Sequence, residues 1–383
     1  MKNWNISFGP DVVFGIDARK KLGEQLERFG CKRALLIHDE IMAEFGHVAE
    51  LVAIAKEKGI ELLTYAPEIG EPTPDRVDQA AAYAKTQNID GLVALGGGAT
   101  TDITKFVGKI LANGGKAEDY LGYTNTTGPK TFRPVIIMPT TAGTGAEITF
   151  GLICSNSKGQ KRASKHETTV VITDPTYTFQ MPKSLTANTG IDAFAHATEV
   201  MSNTTAIPHL MADALSKEAV RIAYRWLPVA YEDGENVEAR TQMSFAGMLG
   251  GYCLRLRKAS FGHSIANQVS NRYHYPHGMG VSVGLAPFVR YQAKMNPTWV
   301  QMMAEALGFP YEGESTGQKI VEAVDGLLKK VGCRSMKELE IPKEVIEEMV
   351  EDIKLDDKWQ VVSPEAVPDF EIMKQCMYEA YDF

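Results

Sequence analysis

Four short apolar runs without inside-outside alternation fall in the first 175 residues, and such runs stop after Asp174-Pro175. They are Arg33–Ile37, Glu61–Tyr65, Leu92–Leu95 and Val135–Met138. Segments with helical spacing separate them: Val48–Lys58, Asp75–Thr86 and Thr101–Leu111. Strands apolar on both faces suit a parallel sheet covered by helices on either side. From about Ser184 the pattern becomes helical, with helices expected over Thr186–Met201, His209–Ala230, Val237–Leu254, Pro297–Leu307, Thr316–Val331 and Lys343–Ile353. The expected fold class is α/β plus all-α, with an α/β domain over 1–183 and an all-helical domain over 184–383.

A chain of 383 residues is long enough for two such cores. Its formal net charge of −8 argues against a generic nucleic-acid binder. No apolar run is long enough for a membrane span, and MKNWNISFGP lacks the apolar core of a signal peptide. Five scattered cysteines without a C-x-x-C pair point to reduced thiols and a cytoplasmic protein.

Gly96-Gly97-Gly98-Ala99-Thr100-Thr101-Asp102 follows an expected strand and opens an expected helix. Glycines there let backbone N–H groups approach a pyrophosphate at a helix N-terminus. The plain alternative is a tight turn that needs positive φ. The loop is neither G-x-G-x-x-G nor a P-loop. Thr140, Thr141 and Thr144 in PTTAGTGAE follow the next strand, where hydroxyls at a strand's carboxyl end suit ligand contacts. The same segment reads as a capping box for a following helix, with Thr144 as N-cap and Glu147 at N3. Asp39, just after the strand ending at Ile37, could bond ribose hydroxyls and disfavour a 2′-phosphate, or be a surface turn residue.

Asp192 and His196 lie four apart in GIDAFAHATE and share one face of a helix. Alone, that pair is as compatible with a solvated face or a cap. His263 and His277 lie fourteen apart, the latter in a Pro-His-Gly turn signal. One carboxylate with three imidazoles suits a divalent metal such as Fe²⁺ or Zn²⁺. His209, after Pro208, reads as an exposed capping residue.

Together, FGP, GGGATTD, PTTAGTGAE, ITDP, GIDAFAHATE, the GHSIAN segment and PHG resemble the iron-containing (group III, metal-dependent) alcohol dehydrogenase family over nearly the whole chain. The resemblance implies a dehydroquinate-synthase-like, Rossmann-type nucleotide-binding domain and an all-helical metal-binding domain. It implies NAD, with NADP disfavoured by Asp39, and a divalent metal on Asp192, His196, His263 and His277. It places Gly97, Gly98, Thr140, Thr141 and Thr144 on cofactor contacts, and Lys161 of QKRAS near the nicotinamide ribose. A homodimer or higher homo-oligomer is also implied.

Three departures stand out. Asn267 occupies the position of the family's proton-relay histidine, and an amide cannot exchange protons near neutral pH. His274 is the candidate replacement. Glu71-Pro72-Thr73 replaces the usual N-P-T, and Arg255, Arg257 and Lys258 make the segment before His263 unusually basic. The expected function is interconversion of a small alcohol and its aldehyde or ketone by hydride transfer with NAD(H). The basic cluster raises an alternative, a same-fold reductase or lyase acting on a carboxylate, phosphonate or sulfonate. A non-catalytic nucleotide-binding module is a further alternative.

Overall fold

The computed structural model describes residues 6, 8–68, 70–122, 128, 130–156, 161–355 and 367–383. Its first unit comprises the described part of Ser7–Thr141 together with Gly145–Thr178. A six-stranded sheet runs through it, with strands β1 (Asp11–Phe14), β2 (Arg33–His38), β3 (Glu61–Tyr65), β4 (Gly91–Gly96), β5 (Val135–Pro139) and β8 (Val170–Thr173). The order is β1-β8-β5-β4-β2-β3 and every pairing is parallel. The remaining strands, β6 (Gly151–Ser155) and β7 (Lys161–Lys165), form a separate antiparallel pair.

Among the described residues, five α-helices belong to this unit: α1 (Leu22–Arg28), α2 (Glu40–Glu44), α3 (His47–Glu57), α4 (Pro74–Thr86) and α5 (Gly98–Asn113). Alternate side chains of each strand feed opposite layers. Ala34, Leu36, Val93 and Leu95 pack with Leu22 and Leu26 of α1 and Leu51 and Ala55 of α3. Leu35, Ile37, Leu92 and Ala94 pack with Val77 and Ala80 of α4 and Ile103 and Phe106 of α5. Burial on both faces is the physical reason these strands read as unbroken apolar runs.

The second unit comprises 142–144 and Phe179–Phe383, with residue 6 of the described N-terminus. Among its described residues the regular structure is helical: α6 (Lys183–Ser202), α7 (Leu210–Glu232), α8 (Val237–Leu256), α9 (Phe261–Tyr273), α10 (His277–Met295), α11 (Pro297–Leu307), α12 (Glu314–Lys330), α13 (Val345–Leu355) and α14 (Phe370–Glu379). Phe194, Phe261, Phe288 and Trp299 are fully enclosed in its core. Helix α9 lies against α10 through small residues. A Cβ on Gly284 would sit 2.1 Å from the Gly262 carbonyl oxygen, and one on Gly280 would sit 2.6 Å from that of Ala266. Only glycine permits these backbones to approach so closely.

Two local expectations are corrected. No helix follows PTTAGTGAE: residues 146–150 form turns and bends and the chain enters β6, so Thr144 and Glu147 cap no helix. Gly145 has φ of 59°, which turns the chain away from a helical start. His209 does cap α7, its Nδ1 accepting from the Ala212 N–H at 3.2 Å, but it is buried rather than exposed. No helix among the described residues is long and apolar enough to cross a membrane.

Candidate functional site

Helix α6 places Asp192, His196 and Glu199 at i, i+4 and i+7, on one face. Helix α9 presents His263 at its third position, and α10 begins at His277, directly after Pro276. The imidazoles converge on one carboxylate oxygen. Asp192 Oδ1 lies 3.3 Å from Nε2 of His263, 3.5 Å from Nε2 of His196 and 3.9 Å from Nε2 of His277. The His196 and His263 rings stack with centroids 4.6 Å apart, and those of His263 and His277 lie 5.6 Å apart. The side chains of His196 and His263 are 8% exposed and that of His277 is 30% exposed, so the cluster opens to solvent on the His277 side.

The electrostatics suit a cation. Burial alone would raise the Asp192 carboxyl, but the three neighbouring imidazoles hold it well below the usual carboxylate range. Burial lowers His196 and favours the neutral imidazole that a metal requires. Burial also opposes charge on His263, yet Glu199 and Asp192 outweigh it and push the ring up to about 10. Its Nδ1 lies 2.6 Å from Glu199 Oε1, and its Nε2 faces Asp192 Oδ1 at 3.3 Å. Asp192, His196 and His263 lie close enough together to share a divalent transition metal, with His277 Nε2 beside them on the open side.

In the other unit, the carboxyl ends of β2, β4 and β5 are neighbours at the point where the strand order reverses. They bring together Asp39, Gly96–Gly98 and Thr140–Thr141. The Asp39 carboxylate accepts from the Gly97 N–H at 3.1 Å and from the Thr100 hydroxyl. A Cβ on Gly96 would lie 2.7 Å from Thr100 Cβ and 2.8 Å from Asp39 Cγ, so this glycine serves the loop's own packing. At Gly97 the nearest such contact is Thr141 Cγ2 at 3.4 Å. The first amides of α5 have no helical carbonyl to bond and lie at the positive end of the helix. Asp102 is buried in that helix and accepts from the Ile153 N–H at 3.1 Å; burial pushes its carboxyl up to about 7. Thr140 is held by its N–H on the Gly96 carbonyl at 3.1 Å.

Sequence profiles of known families match nearly the whole chain. "Iron-containing alcohol dehydrogenase" matches residues 9–175, and "Fe-containing alcohol dehydrogenase family, C-terminal" matches residues 186–377. The chain belongs to the iron-containing alcohol dehydrogenase family. The NAD-dependent methanol dehydrogenase of Bacillus methanolicus is 31% identical over 327 residues, covering 84% of this chain and 85% of that protein. The 1,3-propanediol dehydrogenase of Klebsiella pneumoniae is 30% identical over 333 residues, covering 84% and 85%. A crystal structure of a 1,3-propanediol oxidoreductase superposes with a TM-score of 0.91 at 26% identity, covering 99% of this chain and 100% of that one. As a member of the iron-containing alcohol dehydrogenase family, the chain is an oxidoreductase of alcohols and aldehydes.

Against this family background, the less certain sequence positions divide. Lys161 opens β7 and its ammonium lies 3.4 Å from Oε1 of Glu71, itself one of the three departures from the family pattern. Asn267 lies one turn beyond His263 on α9. His274 is exposed at the C-cap of that helix with φ of 56°, a chain-reversing position outside the ligand cluster. Arg257 is buried, and its guanidinium binds the carbonyls of Val200 and His209 and the Asp213 carboxylate. It is therefore not available to a substrate anion. Glu199 is the site residue that sequence reasoning missed. Its signal was present in the sequence, seven residues after Asp192 and three after His196 on one helical face.

Proposed function

We propose that this protein interconverts a small alcohol and its aldehyde with NAD(H) and a divalent metal, Fe²⁺ or Zn²⁺, held by Asp192, His196, His263 and His277. The convergence of three Nε2 atoms on Asp192 Oδ1 carries the reading. When bound, the metal supplies Lewis acidity toward the alcohol or carbonyl oxygen and the nicotinamide supplies the hydride acceptor. The chain's own part is placement and charge. Asp192 and the imidazoles hold the cation, and the half-open His277 side admits substrate. The α5 N-terminus, with Gly97, Gly98 and Thr100, receives the pyrophosphate, aided by Thr140 and Thr141. Asp39 braces the glycine loop and keeps a negative charge where NADP would bring its 2′-phosphate, which favours NAD. Asn267 hydrogen-bonds substrate or water but passes no proton, so the proton leaves through water or a ribose hydroxyl. The NAD-dependent methanol dehydrogenase relative supports the cofactor choice. The five cysteines are free thiols, in keeping with a cytoplasmic protein, and we propose a homodimer or higher homo-oligomer.

The test is NADH oxidation with a panel of short aldehydes, with and without added Fe²⁺ or Zn²⁺, beside metal analysis of His263→Ala. Metal-stimulated turnover, lost together with the metal in the variant, is expected. Full metal occupancy and full activity in His263→Ala would remove His263 from the ligand set.

A further inference from the structure

The buried carboxylate of Glu199 is absorbed by none of the roles above. It is fully enclosed, and its three partners are all N–H donors. Oε2 accepts from the backbone N–H of Ser260 at 2.8 Å and of His263 at 3.2 Å, and Oε1 meets His263 Nδ1 at 2.6 Å. Ser260 is the N-cap of α9, yet its own side chain makes no capping bond. Glu199 supplies that cap from another helix, at the positive end of the α9 dipole. The fit is close: a Cβ on Gly262 would lie 2.6 Å from Glu199 Oε1.

The 2.6 Å contact of Nδ1 with Glu199, shorter than the 3.3 Å contact of Nε2 with Asp192, points to Nδ1 as the ring nitrogen that donates. With Nδ1–H donated to Glu199, Nε2 alone faces Asp192, His196 and His277. A second consequence concerns charge. Asp192 and Glu199 are both buried, and among the described residues each has only histidines as ion-pair partners. Two buried negative charges with no lysine or arginine on either match the charge of one divalent cation.

We propose that Glu199 is a positioning residue of the metal centre: it locks His263 in the Nδ1–H tautomer and completes the charge that retains a divalent cation. This rests on the ligand reading given above. Carboxylates that orient a liganding imidazole typically carry a 10- to 100-fold share of metal affinity.

The experiment measures Zn²⁺ dissociation constants by chelator competition for the intact protein, Glu199→Gln and His263→Ala, with circular dichroism of each metal-free form. Glu199→Gln is expected to bind Zn²⁺ about 10- to 100-fold more weakly than the intact protein while remaining helical. Equal affinities for the intact protein and Glu199→Gln overturn the role of Glu199 and leave the ligand reading standing. Undetectable Zn²⁺ binding by the intact protein overturns the ligand reading, and this inference with it. Should Glu199→Gln fail to fold, ¹⁵N-histidine NMR of the intact Zn²⁺-loaded protein decides, with His263 assigned from the spectrum of His263→Ala. A proton on Nδ1 and metal on Nε2 support the proposal, whereas metal on Nδ1, or an unprotonated Nδ1, refutes it.

Discussion

Arg257→Met separates a structural arginine from a substrate-binding one. The Arg257 side chain is 0% exposed, and Nη1 donates to Val200 O at 2.9 Å, Asp213 Oδ1 at 2.8 Å and Thr204 Oγ1 at 3.1 Å. Nη2 reaches the His209 carbonyl at 3.3 Å. Methionine fills similar space but donates nothing, so each acceptor loses one bond, while Val200 O keeps the Asn203 N–H and His209 O keeps the Asp213 N–H. Breaking a buried ion pair from one side costs about 3–5 kcal/mol. Asp213 retains the Thr204 hydroxyl and is 18% exposed, so water recovers part of the loss and the lower end, ~3 kcal/mol, applies. For a helical unit of this size that corresponds to a fall in Tm of roughly 6–12 °C, read by calorimetry. The second readout is the ratio of kcat/KM for a short neutral aldehyde to that for an aldehyde bearing a sulfonate or carboxylate. That ratio should stay constant, because the guanidinium is committed to α6 and α7. A Tm within about 2 °C of the parent, joined to a roughly tenfold loss confined to the anionic aldehyde, would refute the reasoning and restore the arginine as an anion anchor.

Gly284→Ala should separate α9 from α10, since its Cβ would meet a backbone carbonyl at 2.1 Å that has no side-chain freedom to retreat. A loss of about 2–3 kcal/mol is expected, together with weaker metal retention because His263 and His277 lie on those two helices; thermal melts and metal analysis read both. His166→Gln tests a buried neutral histidine. Its Nε2 accepts the Phe132 N–H at 3.3 Å, and burial pushes the ring down to about 4. A depressed histidine contributes stability in full above the unfolded value near 6.5 and loses it as pH falls toward 4. Between pH 7.5 and pH 5 the parent should therefore lose about 2 kcal/mol more than the variant in urea titrations. Identical pH dependence in both proteins would count against the assignment.

The layered α/β unit was legible because its central strands β2, β4 and β5 are apolar on both faces, and that pattern is local. Leu35 and Leu36 face opposite helix layers, yet both read simply as apolar. The hairpin of β6 and β7 was not legible. Lys161–Lys165 is largely polar, and Gly151–Ser155 is held by the Asp102 carboxylate on the Ile153 N–H, a contact spanning fifty-one positions. Asp39 was visible as a residue at a strand end, but its grip on Gly97 and Thr100 depends on β2 and β4 being neighbours in the sheet.

The proposed metal ligands divide along the same line. The pair Asp192 and His196 follows from the 3.6-residue period of one helix, and the motifs around it sufficed to recognise the family. Bringing His263 within 3.3 Å of Asp192 across seventy-one positions required α6 and α9 to pack, and bringing in His277 required glycines that let α9 and α10 touch. Sequence alone therefore determined the chemistry of the ligand types, the order of sheet and helices, and the family. Tertiary structure alone decided that Arg257 is a buried tie, that His274 ends a helix, and that Glu199 sets the hydrogen on His263. Hydrogen-bond partners and burial are properties of neighbours in space, and the periodicity of a chain records only neighbours along it.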